Sequence, residues 1–198
     1  LFEEIGRRFE NTERYNITDC TKSRPTSAAD KPRTVTERQA IQQGKLVMGF
    51  SSDTAGDDDS TMPLMVMTDI FGGAPYSKLF TVVREKMSLC YYCAARLYSL
   101  KGILCVDSGI EIENLEASKK GILDQLELMK NGDFDDDVIT ASKIGLSDAI
   151  RSVEDTSGGI EGWYASRLLD SELITPSEFI EQICAVTKEQ IVAAAKGI

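Results

Sequence analysis

Gly72-Gly73-Ala74-Pro75-Tyr76-Ser77-Lys78-Leu79-Phe80-Thr81-Val82-Val83-Arg84-Glu85-Lys86-Met87-Ser88-Leu89-Cys90-Tyr91-Tyr92 is the stretch on which the fold turns. Gly72-Gly73 interrupts helical winding, because neither residue has a Cβ to restrict its backbone. Pro75 then suits the opening of a helix, and Tyr76 to Lys86 reads as that helix. From Leu89 the pattern changes. Leu89 to Ser99 has strand composition, and Leu100-Lys101-Gly102 turns the chain into a second strand, Ile103 to Ile110. The stretch is a helix-to-strand transition.

Working towards the N-terminus, Pro63 opens an earlier helix with Leu64, Met65, Val66, Met67, Ile70 and Phe71. It is apolar on most sides and is expected to be buried. Before it lies an acidic run, Asp53 to Asp59, read as a solvated loop because it lacks a recognisable cation-ligand pattern. Thr34 to Ile41 and Lys45 to Phe50 read as strands separated by Gln42-Gln43-Gly44. Residues 1–33 are polar and charged, with Lys22-Ser23-Arg24-Pro25 and Lys31-Pro32-Arg33, and read as linker or tail with a short helix over Glu3 to Glu10.

Towards the C-terminus the chain becomes helical. Leu115, Ile122, Leu126 and Met129 form a stripe that stops at Asn131-Gly132. Asp135 to Asp137 put negative charge at the start of the next long helix, where the macrodipole favours it; its stripe is Val138, Ser142, Gly145/Leu146, Ala149 and Val153. Ser157-Gly158-Gly159 breaks the pattern ahead of Trp163 and Tyr164. Thr175-Pro176-Ser177-Glu178 and Thr187-Lys188-Glu189-Gln190 are capping boxes. The order of elements predicts an α+β domain over 34–198, its antiparallel sheet covered by helices mainly on one side.

Composition narrows the chemistry. The 198 residues include no histidine, which removes the commonest zinc ligand and every Ser-His-Asp or Cys-His arrangement from within this chain. No metal site is expected in it. A net charge of −10 argues against duplex nucleic acid and anionic membranes as partners, since both select cationic surfaces. Cys20, Cys90, Cys93, Cys105 and Cys184 are odd in number and scattered, unlike a secreted disulfide framework. Cys90 and Cys93, three apart in a strand, are expected on opposite faces as small apolar side chains. Leu1-Phe2-Glu3-Glu4 shows no signal-peptide pattern and no apolar run spans a bilayer. A cytoplasmic piece of a longer chain is expected.

The quoted stretch resembles the C-terminal half-domain of the pitrilysin and insulinase family of zinc metallopeptidases, which includes mitochondrial processing peptidase. Members carry a G-G-x-x-x-S-K-L-F-x-x-x-R-E-K-x-x-L-x-Y-like run at the corresponding transition. Gln43 to Phe50 is similar to the family's first core strand, and Asn131 to Phe134 and Ile183 to Ile191 to its helical tail.

The resemblance implies one half of a two-lobed clamshell in which only the other half carries zinc. This half faces that site with an Arg and a Tyr, seven positions apart, that contact bound peptide. Arg84 and Tyr91 have that spacing, and Tyr92 is the fallback because a one-residue strand shift exchanges the two faces. Arg84 ends a helix and can donate to peptide carbonyls; Tyr91 can donate to a developing oxyanion. The structural alternative has Arg84 capping its helix and Tyr91 packed in the core. Gly72 and Gly73 either admit a peptide backbone or permit a helix kink. The implied function is a non-catalytic half that binds peptide opposite a zinc site on a complementary half or partner chain. The fragment alone is expected to be inactive, and the parent assembly a zinc metalloendopeptidase. The competing reading is a scaffold subunit that has lost proteolysis.

Overall fold

A computed structural model describes residues 7–8, 10–13, 31–52, 61–168 and 173–198. The acidic run Asp53 to Asp59 and Cys20 lie outside the described residues, as does most of the expected helix over Glu3 to Glu10; Arg7 and Arg8 are helical.

Three antiparallel strands form the sheet among the described residues: β1 (Gly44–Ser51), β2 (Cys90–Tyr98) and β3 (Ile103–Ile110), in the order β1-β3-β2. β2 and β3 are a hairpin, closed by a 3₁₀ turn over Ser99–Lys101 with Gly102 at φ 59°, a left-handed conformation that glycine adopts without a Cβ penalty. Alternation sorts the faces. Leu46, Met48 and Phe50 of β1, Cys93, Ala95 and Leu97 of β2, and Leu104 and Val106 of β3 join the core. Their neighbours Lys45, Val47, Tyr92, Arg96 and Tyr98 are exposed on the other side. Helices therefore pack on one face of the sheet.

Thr34 to Ile41 is not a strand. It is exposed throughout, with Val35 93% exposed. Only Val35 and Ile41 are large and apolar there, too little to hold a segment on the sheet, and strand propensity without a packed surface has no structural force.

Helix α1 (Thr61–Thr68) continues into a π-wound turn, Asp69–Gly73. Leu64, Val66, Met67, Ile70 and Phe71 are all buried. A second π-wound helix, Leu79–Lys86, leads into β2. Then follow α2 (Leu115–Lys130), α3 (Asp136–Arg151), α4 (Ser157–Ser166), α5 (Pro176–Ala185) and α6 (Lys188–Lys196). Gly132, at φ 73°, stops α2 where the sequence places its end. Both capping boxes form: Thr175 with Glu178 on α5, Thr187 with Gln190 on α6.

Two helical expectations are corrected in part. Of the α3 stripe, Ser142 is buried and Val138, Leu146 and Val153 pack against the core as expected, but Gly145 and Ala149 are exposed, and Ile139, Ser147 and Ile150 are buried as well. Packing against α1 and α5 selects this face, and the small side chains Ser142 and Ser147 suit close helix contact better than an all-apolar stripe would. The helical pattern does break ahead of Trp163, between Arg151 and Ser157, but Gly158-Gly159 lies just past the break in the first turn of α4, where Thr156 accepts from the Gly159 amide at 3.0 Å. A Cβ on Gly159 would collide with the Val153 carbonyl oxygen.

Candidate functional site

The Gly72 to Tyr92 stretch folds into the walls of one groove of about 340 Å³. Gly72, Gly73, Ala74 and Pro75 form one wall, Phe80 and Arg84 come from the π-wound helix, and Tyr91 to Ala94 come from β2. Both helical segments bordering it are π-wound, a rare geometry that widens each turn by a residue and concentrates at functional sites. Gly72 has no room for a side chain: its Cβ would lie 2.7 Å from the Ala95 nitrogen and 2.8 Å from the Ala95 Cβ. The helix end therefore rests directly on β2, so close approach to the protein's own strand accounts for this glycine.

Arg84 sits in the last turn of its helix. Its guanidinium lies over the Phe80 ring, 4.4 Å from the centroid, and its Nε donates to the Tyr91 main-chain oxygen at 2.9 Å. The side chain stays 38% exposed, with one terminal nitrogen 3.9 Å from Glu85. Tyr91 is 52% exposed and its hydroxyl donates to Glu111 Oε1 at 3.2 Å. Arg84 and Tyr91 thus meet at an open rim and not in the core.

The register explains which tyrosine goes where. Cys90 pairs with Ile110 and Tyr92 with Gly109, so Tyr91 is the additional residue of a β-bulge. Tyr92 also borders the groove, but its ring lies across Gly109, where a Cβ would stand 2.6 Å from Cε1. Its main-chain oxygen accepts from Ser108 Oγ at 2.8 Å.

The same bulge overturns the expectation for the cysteines. One extra residue restores the alternation, so Cys90 and Cys93 both lie on the core side. Burial pushes the Cys93 thiol up to about 12 and raises that of Cys90. Protonated and packed, they are poor nucleophiles.

Three residues near the groove carry no sequence signal that singled them out: Asp69, Tyr76 and Glu111. Phe80 stands at a fixed position of the family run, four positions before Arg84 on one helix. The chain has no histidine, and no three cysteine or carboxylate side chains gather to hold an ion among the described residues. The described residues do not fit a zinc site. No helix among the described residues is long and apolar enough to cross a membrane.

The family model for the peptidase M16 inactive domain matches residues 7–146. The chain belongs to this family. Among curated relatives, the probable inactive metalloprotease YmfF of Bacillus subtilis is 36% identical over 168 residues, covering 85% of this chain and 39% of the relative. The uncharacterized zinc protease YmxG of the same organism is 25% identical over 167 residues, covering 83% of this chain and 41% of the relative. This M16 inactive domain therefore spans about two fifths of the curated relatives it matches. Among solved structures, a conserved protein from Enterococcus faecalis V583 superposes with a TM-score of 0.76 at 32% identity, covering 84% of this chain and 40% of that one. A protease from Helicobacter pylori reaches a TM-score of 0.81 at 18% identity, over 98% of this chain and 48% of that one; this likeness speaks for the fold alone.

Proposed function

We propose that this M16 inactive domain is the non-catalytic half of a zinc-peptidase-like assembly. It offers peptide contacts from the Gly72 to Tyr92 groove and a chamber wall opposite a zinc site carried by another half or a partner chain. The observation that carries the reading is the joining of Arg84 and Tyr91 at one exposed rim. Arg84 uses Nε on its own chain, and stacking on Phe80 holds the planar fork, leaving donors of a partly exposed guanidinium for a peptide carbonyl or carboxylate. Tyr91 supplies a hydroxyl donor beside it. Gly72 and Gly73 form the side of the groove without side chains, and Tyr92 borders it. A cytoplasmic setting belongs to this reading and is supported by the free thiols of Cys90, Cys93, Cys105 and Cys184.

A second reading, a scaffold without proteolysis, is favoured by the internal satisfaction of the same pair, Arg84 on Tyr91 and Tyr91 on Glu111. The two separate in the full-length protein with its zinc-bearing complement. Turnover at saturating peptide and melting temperature are measured for Arg84→Ala and Tyr91→Phe. The peptide-binding reading expects weaker substrate binding in Arg84→Ala. It expects a loss of turnover on the order of a hundredfold in Tyr91→Phe, with melting temperature nearly unchanged in Tyr91→Phe and lowered by only a few degrees in Arg84→Ala, which loses its tie to Tyr91. Unaltered turnover with lowered melting temperature in both variants would hand the lead to the scaffold.

A further inference from the structure

The wall Gly72-Gly73-Ala74-Pro75 is bracketed by one side-chain hydrogen bond. Asp69 precedes the wall on the π-wound turn, Tyr76 follows Pro75, and the Tyr76 hydroxyl donates to Asp69 Oδ2 at 2.7 Å. The bond is part-buried and closes the chain from 69 to 76 into a ring. Its surroundings are fitted to it. A Cβ on Gly73 would stand 2.8 Å from Asp69 Oδ1, so the wall lies directly against the other oxygen of the accepting carboxylate. A Cβ on Gly145 would stand 3.1 Å from the Tyr76 oxygen, so α3 approaches the donor equally closely. The same oxygen lies 3.4 Å from the Ala141 carbonyl oxygen, also on α3. Burial first, and then the Asp69 carboxylate, push the Tyr76 phenol well above its usual range. It is a constant donor across physiological pH.

We infer that Asp69 and Tyr76 are positioning residues for the groove, clasping its glycine wall at a set distance from Arg84 and Tyr91 and tying it to α3. The inference rests on the peptide-binding reading above and deepens it. Two facts separate the clasp from ordinary loop packing. The bond spans the four residues of the wall and no others beyond the turn itself. Glycines also stand on both sides of it, where any side chain would push the donor or acceptor away. Such a groove tolerates little play in its wall, because a peptide held between wall and Arg84 loses contacts on one side when the other recedes.

The test uses the full-length protein and a fluorescein-labelled casein-derived peptide, with the dissociation constant read by anisotropy and backbone opening by amide hydrogen exchange. Tyr76→Phe removes one hydroxyl and keeps the ring. Asp69→Ala removes the acceptor, whereas Asp69→Asn keeps an oxygen able to accept. Tyr76→Phe and Asp69→Ala are each expected to weaken binding about fivefold, the value of one net hydrogen bond. Asp69→Asn is expected to restore binding to within about twofold, and the double variant Tyr76→Phe/Asp69→Ala to be no weaker than either single one. Exchange at Gly73 and Ala74 should rise while that of β3 stays as it is. Unchanged binding despite faster exchange at Gly73 and Ala74 would overturn the inference, as would additive losses in the double variant. Arg84→Ala is measured alongside. If it weakens binding while Tyr76→Phe does not, the clasp falls and the peptide-binding reading stands. If Tyr76→Phe acts while Arg84→Ala does not, the clasp stands and Arg84 loses its assigned contact. No binding by the unaltered protein removes both.

Discussion

Arg84 ties its helix to the following strand by donating Nε to the main-chain oxygen of Tyr91, 2.9 Å away and seven residues on. Tyr91 is the bulged residue of β2, and the arginine gives its main-chain oxygen a donor. One side chain thereby fixes the bulge, and the bulge decides that Tyr91 reaches the rim while Cys90 turns back into the core.

Arg84→Lys is expected to behave as a loss, although charge is conserved. An ammonium cannot lie flat over Phe80 and donate from the Nε position at the same time. Urea unfolding of the isolated chain should show a destabilisation of about 0.5–1 kcal/mol, the scale of an exposed cation–π contact. Equal stability of the lysine variant would mean that the helix-to-strand tie contributes nothing measurable.

Gly72→Ala should be far costlier than Gly49→Ala. At Gly72 the new methyl meets the Ala95 main-chain nitrogen, which cannot swing aside, while at Gly49 nothing lies within 4 Å. Overpacking of this kind costs about 1–3 kcal/mol, and the open site should stay within about 0.5 kcal/mol of the parent. Denaturation midpoints of the two variants, compared with matched slopes, give the difference directly; a Gly72→Ala midpoint equal to that of Gly49→Ala would mean that the wall is loose.

Stability should fall in alkali through Cys93. Its thiol is pushed from 9.0 up to about 12 by burial in the fold. Above pH 9 the unfolded chain therefore releases a proton that the folded chain keeps, and stability is lost as pH rises from 9 towards 12. The slope is about 1.4 kcal/mol per pH unit for a single group in that window. Cys90 and Tyr76 are raised by burial as well and act in the same direction. Cys93→Ala isolates the contribution: its stability between pH 8.5 and 11 should decline less steeply than that of the parent. Parallel declines would show that Cys93 already ionises in the folded state.

Much of the framework is local and was legible. The hairpin of β2 and β3 follows from two apolar runs around Lys101-Gly102, and the end of α2 from Asn131-Gly132. The starts of α5 and α6 follow from threonines whose hydroxyls meet backbone amides three residues on. Arg84 and Tyr91 were singled out by the family resemblance and not by residue type, and the fold joins them through Arg84 Nε and the Tyr91 main-chain oxygen. Asp69, Tyr76 and Glu111 were not, because a lone carboxylate or tyrosine has no periodicity to give it away. Each acquires its place only when a partner arrives from seven or twenty residues off.

What the sequence determined by itself is whatever depends on neighbours within a turn or a strand pair: element types, caps, the α+β order, and the absence of histidine chemistry. Tertiary structure alone decided the rest. It left Thr34 to Ile41 off the sheet for want of apolar surface to bury. It widened the buried face of α3 to Ile139, Ser147 and Ile150 and left Gly145 and Ala149 exposed, because partner helices and not the apolar count choose the buried face. It also brought Cys90 and Cys93 to one side, through a single unpaired residue that β3 failed to match. Strand alternation has a period of two, so one insertion inverts every side chain before it relative to those after it. Nothing in a linear string of residues records where a neighbouring strand will force that insertion.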